Sequence, residues 1–438
     1  MTSVRLDAPA ARASVERTPR RSGSRRSWPV LIFLAMSLGW AMFQPQFYQL
    51  ERGGFTYYLA VLPALLLPFA RPLFLIEAAR TRALLFVIFG ITAAVWHFVR
   101  GDLDATIPLL LLTLGVVWMS SNASRIQFDD FYALYALAVV TGIGVSVFTN
   151  LNEWGLIPGM TTLPGQSVWR VSFFPNIAIT AFVSLAFIII YTRDTRPKNA
   201  FHIALLCVAV YFLLFSFVRT VVISLVVYFA LAWLFSRRRS PAFLFGASLL
   251  MAVLSNLMIA YSPSIFAALG ESPLFSRMFL RGETGLSSYE IYVQLYRPWL
   301  WGQHIQQFLS SPFLMGWGSA DFNDLTTESL RYGYEHTGDV SLLTKLLAQN
   351  GLPAILVLVF VIACLIGLAK RRDAWGCACF PVVILAMMHW GVIFHPTNAT
   401  FALFMIMLIH GSAGFGPYPA RVAPRPRRQA LPLRAGAR

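Results

Sequence analysis

The sequence predicts an all-α, polytopic membrane protein of about 12 transmembrane helices, with one long helical loop on the outer face. Three observations predict it. Of 438 residues, 57% are apolar and only 12% charged, and the mean hydropathy is +0.64. A soluble chain of this length carries about 25% charged residues. Apolar runs of membrane-spanning length recur along the chain, and short arginine-bearing loops divide them. Soluble, fibrous and disordered classes are excluded.

The apolar runs place spans at 28–44, 55–70, 83–99, 105–121, 131–149, 172–191, 201–217, 220–236, 242–260, 346–369, 375–394 and 398–415. Runs seven and eight are separate because Arg219 and Thr220 interrupt them, and one helix of about 35 residues would overshoot a bilayer. The chain therefore divides into a basic tail (1–27), spans one to nine (28–260), a loop (261–345), spans ten to twelve (346–415) and a second basic tail (416–438).

Charge sets the orientation. Lysine plus arginine is 35 against 19 acids, a net charge of +16. With the N-terminus inside, the inner loops and tails hold 26 bases and 7 acids, and the outer loops 9 and 12. That is the positive-inside pattern, with both termini cytoplasmic. The arginine-rich tails flank membrane spans, so they read as anchors on anionic lipid and not as nucleic-acid arms. The first run follows a basic segment without a small-residue cleavage site and reads as an uncleaved span. Cys207 and Cys364 lie inside apolar runs. Cys377 and Cys379 form C-x-C with no matching pair, which does not suit a zinc site.

The long outer loop is rich in aromatics, including Tyr289, Tyr292, Tyr296, Trp299 and Trp301. A loop of that length in a compact protein is functional or disordered, and its composition argues for function. Three outer-side arginines stand out: Arg170 before span six, Arg219 at the turn into span eight, and Arg297 in the loop. Guanidinium forks near a bilayer surface suit a lipid-linked phosphate or diphosphate. The bland alternative is snorkelling to headgroups. Further along come the glycine-turn segment Ser311–Gly318, the acids Asp321 and Asp324, and His336 and Asp339 ahead of span ten. His336 and Asp339 are acid–base candidates, although Asp339 also suits a helix N-cap. Asp102-Leu-Asp104 is a weak cation motif. His389 and His395 do not share a helix face, so no metal site is expected.

Arg170, Pro175 and Asn176, then Arg219, then Arg297 and Trp301, then Pro312, Gly316 and Gly318, with a polar residue upstream of Gly351, follow one another in order. In these elements, over roughly residues 168–368, the chain resembles the O-antigen polymerase and O-antigen ligase superfamily. The resemblance implies a type-C glycosyltransferase-like membrane fold in the bacterial inner membrane, the long loop being periplasmic. It implies a metal-independent, inverting transfer with no cofactor. The donor would be an undecaprenyl-diphosphate-linked oligosaccharide, with a chain-length-determining copolymerase and a lipid flippase as partners. It assigns catalysis to Arg219, Arg297 and either Asp339 or His336, and substrate binding to Arg170, Trp301 and Lys345. The family carries His-Asn where this chain has Asp339-Val340, with His336 three residues upstream. That departure looks more like the exopolysaccharide-polymerase branch than a ligase. A ligase of the same superfamily and a twelve-span transporter or flippase are the alternative readings; the transporter lacks charges at span centres and symmetry between halves.

Overall fold

A computed structural model describes residues 77–103, 106, 109, 110, 113, 128–148, 155–158, 170–174, 177–261, 296–318 and 342–389. Among the described residues the regular structure is helical: α1 (Glu77–Val99), α2 (Phe128–Phe148), α3 (Ile177–Arg193), α4 (Ala200–Phe215), α5 (Arg219–Arg237), α6 (Pro241–Ala260), α7 (Tyr296–Ser310), α8 (Leu342–Asn350), α9 (Ile355–Lys370) and α10 (Ala374–His389). Two 3-10 turns follow, Pro312–Leu314 after α7 and Leu352–Ala354 between α8 and α9. A single isolated bridge pairs Gly155 with Val171.

Four of these helices are long and apolar enough to cross a membrane: α2, α5, α6 and Leu352–Lys370. Leu84–Val99, α3, α4 and α10 are equally apolar but shorter. Large apolar side chains lie exposed in rows along the outside of the bundle, such as Leu84, Ile88, Ile91 and Val95 on α1 and Leu250, Leu254 and Leu257 on α6. A continuous apolar exterior of this kind faces lipid, not water. The protein is a helical membrane protein.

Helix α3 is the centre. Every residue from Ile177 to Ile190 is buried, as expected of a helix that is apolar on all sides. The expected span from 172 starts five residues too early. Val171–Phe174 is buried but not helical: the Val171 N–H donates to the Phe215 carbonyl at 3.0 Å, and the Ser172 N–H to Gly155 at 3.1 Å. Pro175 follows, and the residue before a proline is pushed out of helical geometry. Two helices, not one, occupy 200–237. The turn Ser216–Val218 divides them, with Phe217 in the left-handed region at φ 51°.

Span ten also differs from expectation. Its first turns form a separate helix, α8, which ends at Asn350, and Gly351 takes φ +63° before α9 begins. Glycine is needed there twice over. A side chain would be strained at that φ and would overlap the Leu314 carbonyl.

Lipid tails are as apolar as leucine, so close packing and interhelical hydrogen bonds hold the helices together. Gly90 lies against Thr113 and Gly142 against Phe173, closer than any side chain would allow. Tyr135 and Ser184 link α2 to α3 at 3.0 Å, and Thr192 and Tyr228 link α3 to α5 at 2.7 Å. Such bonds contribute about 0.6 kcal/mol each.

The two ends of the bundle differ in charge. The last turn of α3 meets the middle of α5 and the start of α10: Arg193 stacks on Trp375 at 4.5 Å and pairs with Asp373 at 3.8 Å. Beside it, the buried Asp194 carboxylate takes bonds from Arg196 (2.9 Å), Lys198 (2.9 Å) and Tyr132 (2.8 Å). Burial alone would raise the pKa of Asp194, but these donors hold it well below the usual carboxylate range. Arg237–Arg239 and Lys370–Arg372 close the loops of the same end.

Candidate functional site

At the opposite end, the segment Ser311–Gly318 folds over the tip of the bundle. Phe313 and Leu314 both adopt left-handed backbone, at φ 53° and 57°. Bulky residues hold that conformation only when their surroundings force it. Here the Ser311 hydroxyl accepts the Gly316 N–H (3.1 Å), and the Trp317 indole N–H donates to the Gln307 carbonyl of α7 (3.0 Å). The N–H groups of Trp317 and Gly318 donate to the carbonyls of Ala348 and Gln349, each at 3.0 Å. Those are acceptors that the end of α8 would otherwise leave unmet. Arg100 secures the far side, donating to the carbonyls of Gly316 (3.2 Å) and Trp317 (3.3 Å).

Gly318, at φ +81°, sits against Asp102 and His97, where a side chain would collide with the Asp102 carboxylate. His97 is fully buried at the end of α1, and its Nε2 is 2.9 Å from Asn350 Oδ1. An amide oxygen accepts, so Nε2 carries the proton and Nδ1 is the free acceptor of a neutral ring. Nδ1 has no hydrogen-bond partner among the described residues and lies beside Gly318. The knot of His97, Asn350, Asp102 and Gly318 thus ties α1, α8 and the glycine segment into one surface.

A second cluster lies where α7 crosses α8 and the end of α10. His304 is buried, and its Nδ1 shares a 2.8 Å hydrogen bond with the Thr344 hydroxyl. Burial, helped by the neighbouring Lys345 charge, pushes the His304 pKa down to about 4. At neutral pH the ring is uncharged and does not attract an anion. Trp301, one turn earlier, meets the ring of buried His389 edge-on, with centroids 5.4 Å apart.

Of the residues expected from sequence, Trp301 and Lys345 come together here, with His304 and Thr344 between them. Arg297 is the second residue of the same helix, four residues before Trp301; its backbone is helical and its side chain lies outside the described residues. Arg219, half-buried, is the first residue of α5. Helix α5 starts just after Phe215, which Val171 ahead of α3 contacts, and reaches the last turn of α3 at Tyr228. Trp375 begins α10 at that same turn, so α5 and α10 run antiparallel. Arg219 therefore lies toward the His389 end. Half-buried Arg170 precedes Val171, which bonds to Phe215 just before the turn into α5, so Arg170 is at that end too. His336, Asp339, Asp321, Asp324 and Asp104 lie outside the described residues.

This end thus carries Arg100, Arg170, Arg219 and Lys345, with Asp102 as the acid among the described residues. Such a surface, beside low-dielectric walls, attracts anions. Sequence reasoning missed His97, His304 and Asn350. The signal was faint: a histidine at the edge of an apolar run, and another three residues after Trp301 in an amphipathic helix. No family model matches the chain, and neither the curated proteins nor the solved structures contain a match.

Proposed function

We propose that the protein is a polysaccharide polymerase, joining lipid-linked oligosaccharide repeat units at the periplasmic face of a bacterial inner membrane. One observation carries the reading. Arg170, Arg219, Trp301 and Lys345, picked out as anion- and glycan-binding residues, lie at one end of a membrane bundle, away from its basic loops. The basic loops, Arg237–Arg239 and Lys370–Arg372, belong in the cytoplasm by the positive-inside rule. The arginine end then faces the periplasm, within a type-C-like fold of about twelve spans.

The reaction needs three things. The acceptor hydroxyl attacks the anomeric carbon of the donor, a new C–O bond forms, and the bond to the polyprenyl diphosphate breaks with inversion. The diphosphate departs with the electron pair, and arginines at Arg219 and Arg297 stabilise that charge as it develops. The proton of the hydroxyl goes to Asp339 or His336. Trp301 and Lys345 hold the glycan and its phosphate. A copolymerase that sets chain length and a flippase that delivers repeat units would work beside it.

The test is reconstitution: purified protein in proteoliposomes with polyprenyl-diphosphate repeat units, and products resolved on a gel. A ladder of increasing length is the expected result. Transfer of finished chains to another acceptor would make it a ligase. Movement of the lipid-linked unit across the bilayer without bond formation would replace the enzyme by a transporter.

A further inference from the structure

Helix α7 has three distinct sides. Trp301 and His304 pack toward α10 and α8, with His304 fully inside, and half-buried Phe308 shares their face by helical spacing. Gln303, Gln306, Gln307 and Ser310 make up a polar side. Between them runs an apolar flank: Ile305 is 46% exposed, Leu309 63%, and Phe313, four residues on in the left-handed turn, 86%. Residues four apart stack on one helix face, which puts Ile305 and Leu309 together. The row of exposed apolar side chains passes beyond the helix end to Phe313 in the turn. Among the described residues, none covers it.

The row does not end in open space. Leu314, next to Phe313, presses its carbonyl on Gly351, and Leu352 follows at once. Leu352 begins the exposed apolar row of α9, continued by Ile355 and Val359, on a helix long and apolar enough to cross a membrane. The flank of α7 therefore meets the exposed apolar surface of α9 where Leu314 lies against Gly351. The strained pair Phe313–Leu314, pinned by Ser311, Trp317 and Arg100, is what carries the row from one helix to the other.

We infer that α7 is an interfacial helix. Ile305, Leu309 and Phe313 insert into the hydrocarbon edge of the leaflet at this end of the bundle, while the glutamine side faces water. A helix with an apolar side, a polar side and modest overall hydrophobicity lies in the membrane interface, not across it. The occupant of the row is bilayer lipid. The inference stands whether or not the transferase reading holds. If both hold, the helix that bears Arg297 and Trp301 lies at headgroup depth, where a lipid-linked diphosphate resides.

Spin labels test it in the full chain. Cys207 is exposed and is removed as Cys207→Ser; the other three cysteines are buried. Single labels go at Ile305→Cys, Leu309→Cys and Phe313→Cys, with Gln306→Cys and Ser310→Cys as controls. The protein is reconstituted in phosphatidylethanolamine–phosphatidylglycerol vesicles, and collision with oxygen is compared with collision with a water-soluble nickel chelate. The expected result is oxygen access with nickel exclusion at the three row positions, and the reverse at the controls. Nickel access at the row equal to that at the controls overturns the inference, because the flank is then in water. Exclusion of both reagents also overturns it, because protein then covers the row, as in a dimer. Photolabelling of the unmodified protein with a lipid-soluble diazirine gives an independent reading. Adducts on Ile305, Leu309 and Phe313 support insertion; a labelled α9 with an unlabelled α7 row sinks it.

Discussion

The hydroxyl of Ser248 in α6 donates to the backbone carbonyl of Cys377 in α10, at 2.8 Å, with both groups buried. The reason lies four residues further along α10. Pro381 sits inside the helix and has no N–H, so the Cys377 carbonyl loses the partner that helix geometry would supply. A neighbouring serine fills the gap. In a lipid environment, where water cannot, such a replacement is how a proline is tolerated within a spanning helix.

Ser248→Ala should therefore cost about 1–2 kcal/mol, since it leaves a buried carbonyl unmet. In a Pro381→Ala background the helix supplies its own N–H, and the same Ser248→Ala change should cost close to nothing. The measurement is a double-mutant cycle on thermal stability in detergent micelles. Equal costs in both backgrounds would mean that the serine contributes only packing.

His304 predicts a pH dependence of stability. Its folded-state pKa is about 4, below the ordinary 6.5, because burial and then Lys345 oppose the charged ring. Between those two values the unfolded chain holds a proton that the folded protein does not. Stability is complete above pH 6.5 and falls as pH drops toward 4, by up to roughly 3 kcal/mol. His304→Gln should flatten this window. Melting midpoints at pH 7.5 and 4.5 for the two proteins decide it; parallel losses would assign the acid sensitivity elsewhere.

At the other end of the bundle, Asp194→Asn should destabilise by about 2–3 kcal/mol, because Arg196 and Lys198 lose the buried carboxylate between them. The depressed carboxylate pKa contributes stability that is present above the ordinary carboxylate range and lost in strong acid. Asp129→Asn, at the exposed end of the same network, should cost under about 1 kcal/mol. Urea or heat unfolding of the two variants compares them; equal effects would contradict the burial argument.

Hydropathy located two of the helices to within a residue, α5 at Arg219–Arg237 against 220–236 and α6 at Pro241–Ala260 against 242–260, while α1 at Glu77–Val99 begins six residues before the expected 83. It failed where apolar composition and helical backbone part company. Val171–Phe174 is buried yet not helical, and Leu342–Lys370 is apolar yet broken at Gly351. The site was legible by residue type only. Trp301 and Lys345 could be singled out, but their neighbour His304 reaches Thr344 across 40 residues, and His97 reaches Asn350 across 253. No local pattern encodes a contact at that separation.

Orientation follows from the split of basic residues and is directly measurable. A reporter active only outside the cytoplasm should be active when fused near Gly159 or Ser288, and silent at Arg238 or Arg371. Arg238 closes the α5–α6 loop and Arg371 the α9–α10 loop, on the end away from α7. Activity at Arg371 with silence at Ser288 would invert the protein and put Arg219, Arg297 and Trp301 in the cytoplasm.

The arginines carry the sharpest prediction. Arg219 opens α5, and Arg297 lies in the first turn of α7, each at the end of the bundle that holds Trp301 and Lys345. Removing a donor that stabilises developing charge costs about two to three orders of magnitude in rate. Arg219→Ala and Arg297→Ala should each lower polymer formation by about that much at matched protein levels. Lysine should rescue poorly at both positions, because a point charge cannot replace the planar fork that grips two phosphate oxygens. Arg238→Ala, on the opposite end, should leave the rate within about twofold, since a distant exposed charge makes no contact with the reacting groups. A normal ladder from Arg219→Ala and Arg297→Ala would show that both side chains only anchor their helices to lipid headgroups. The charge on the departing diphosphate would then have to be met by other bases, of which Arg100, Arg170 and Lys345 are those at this end among the described residues.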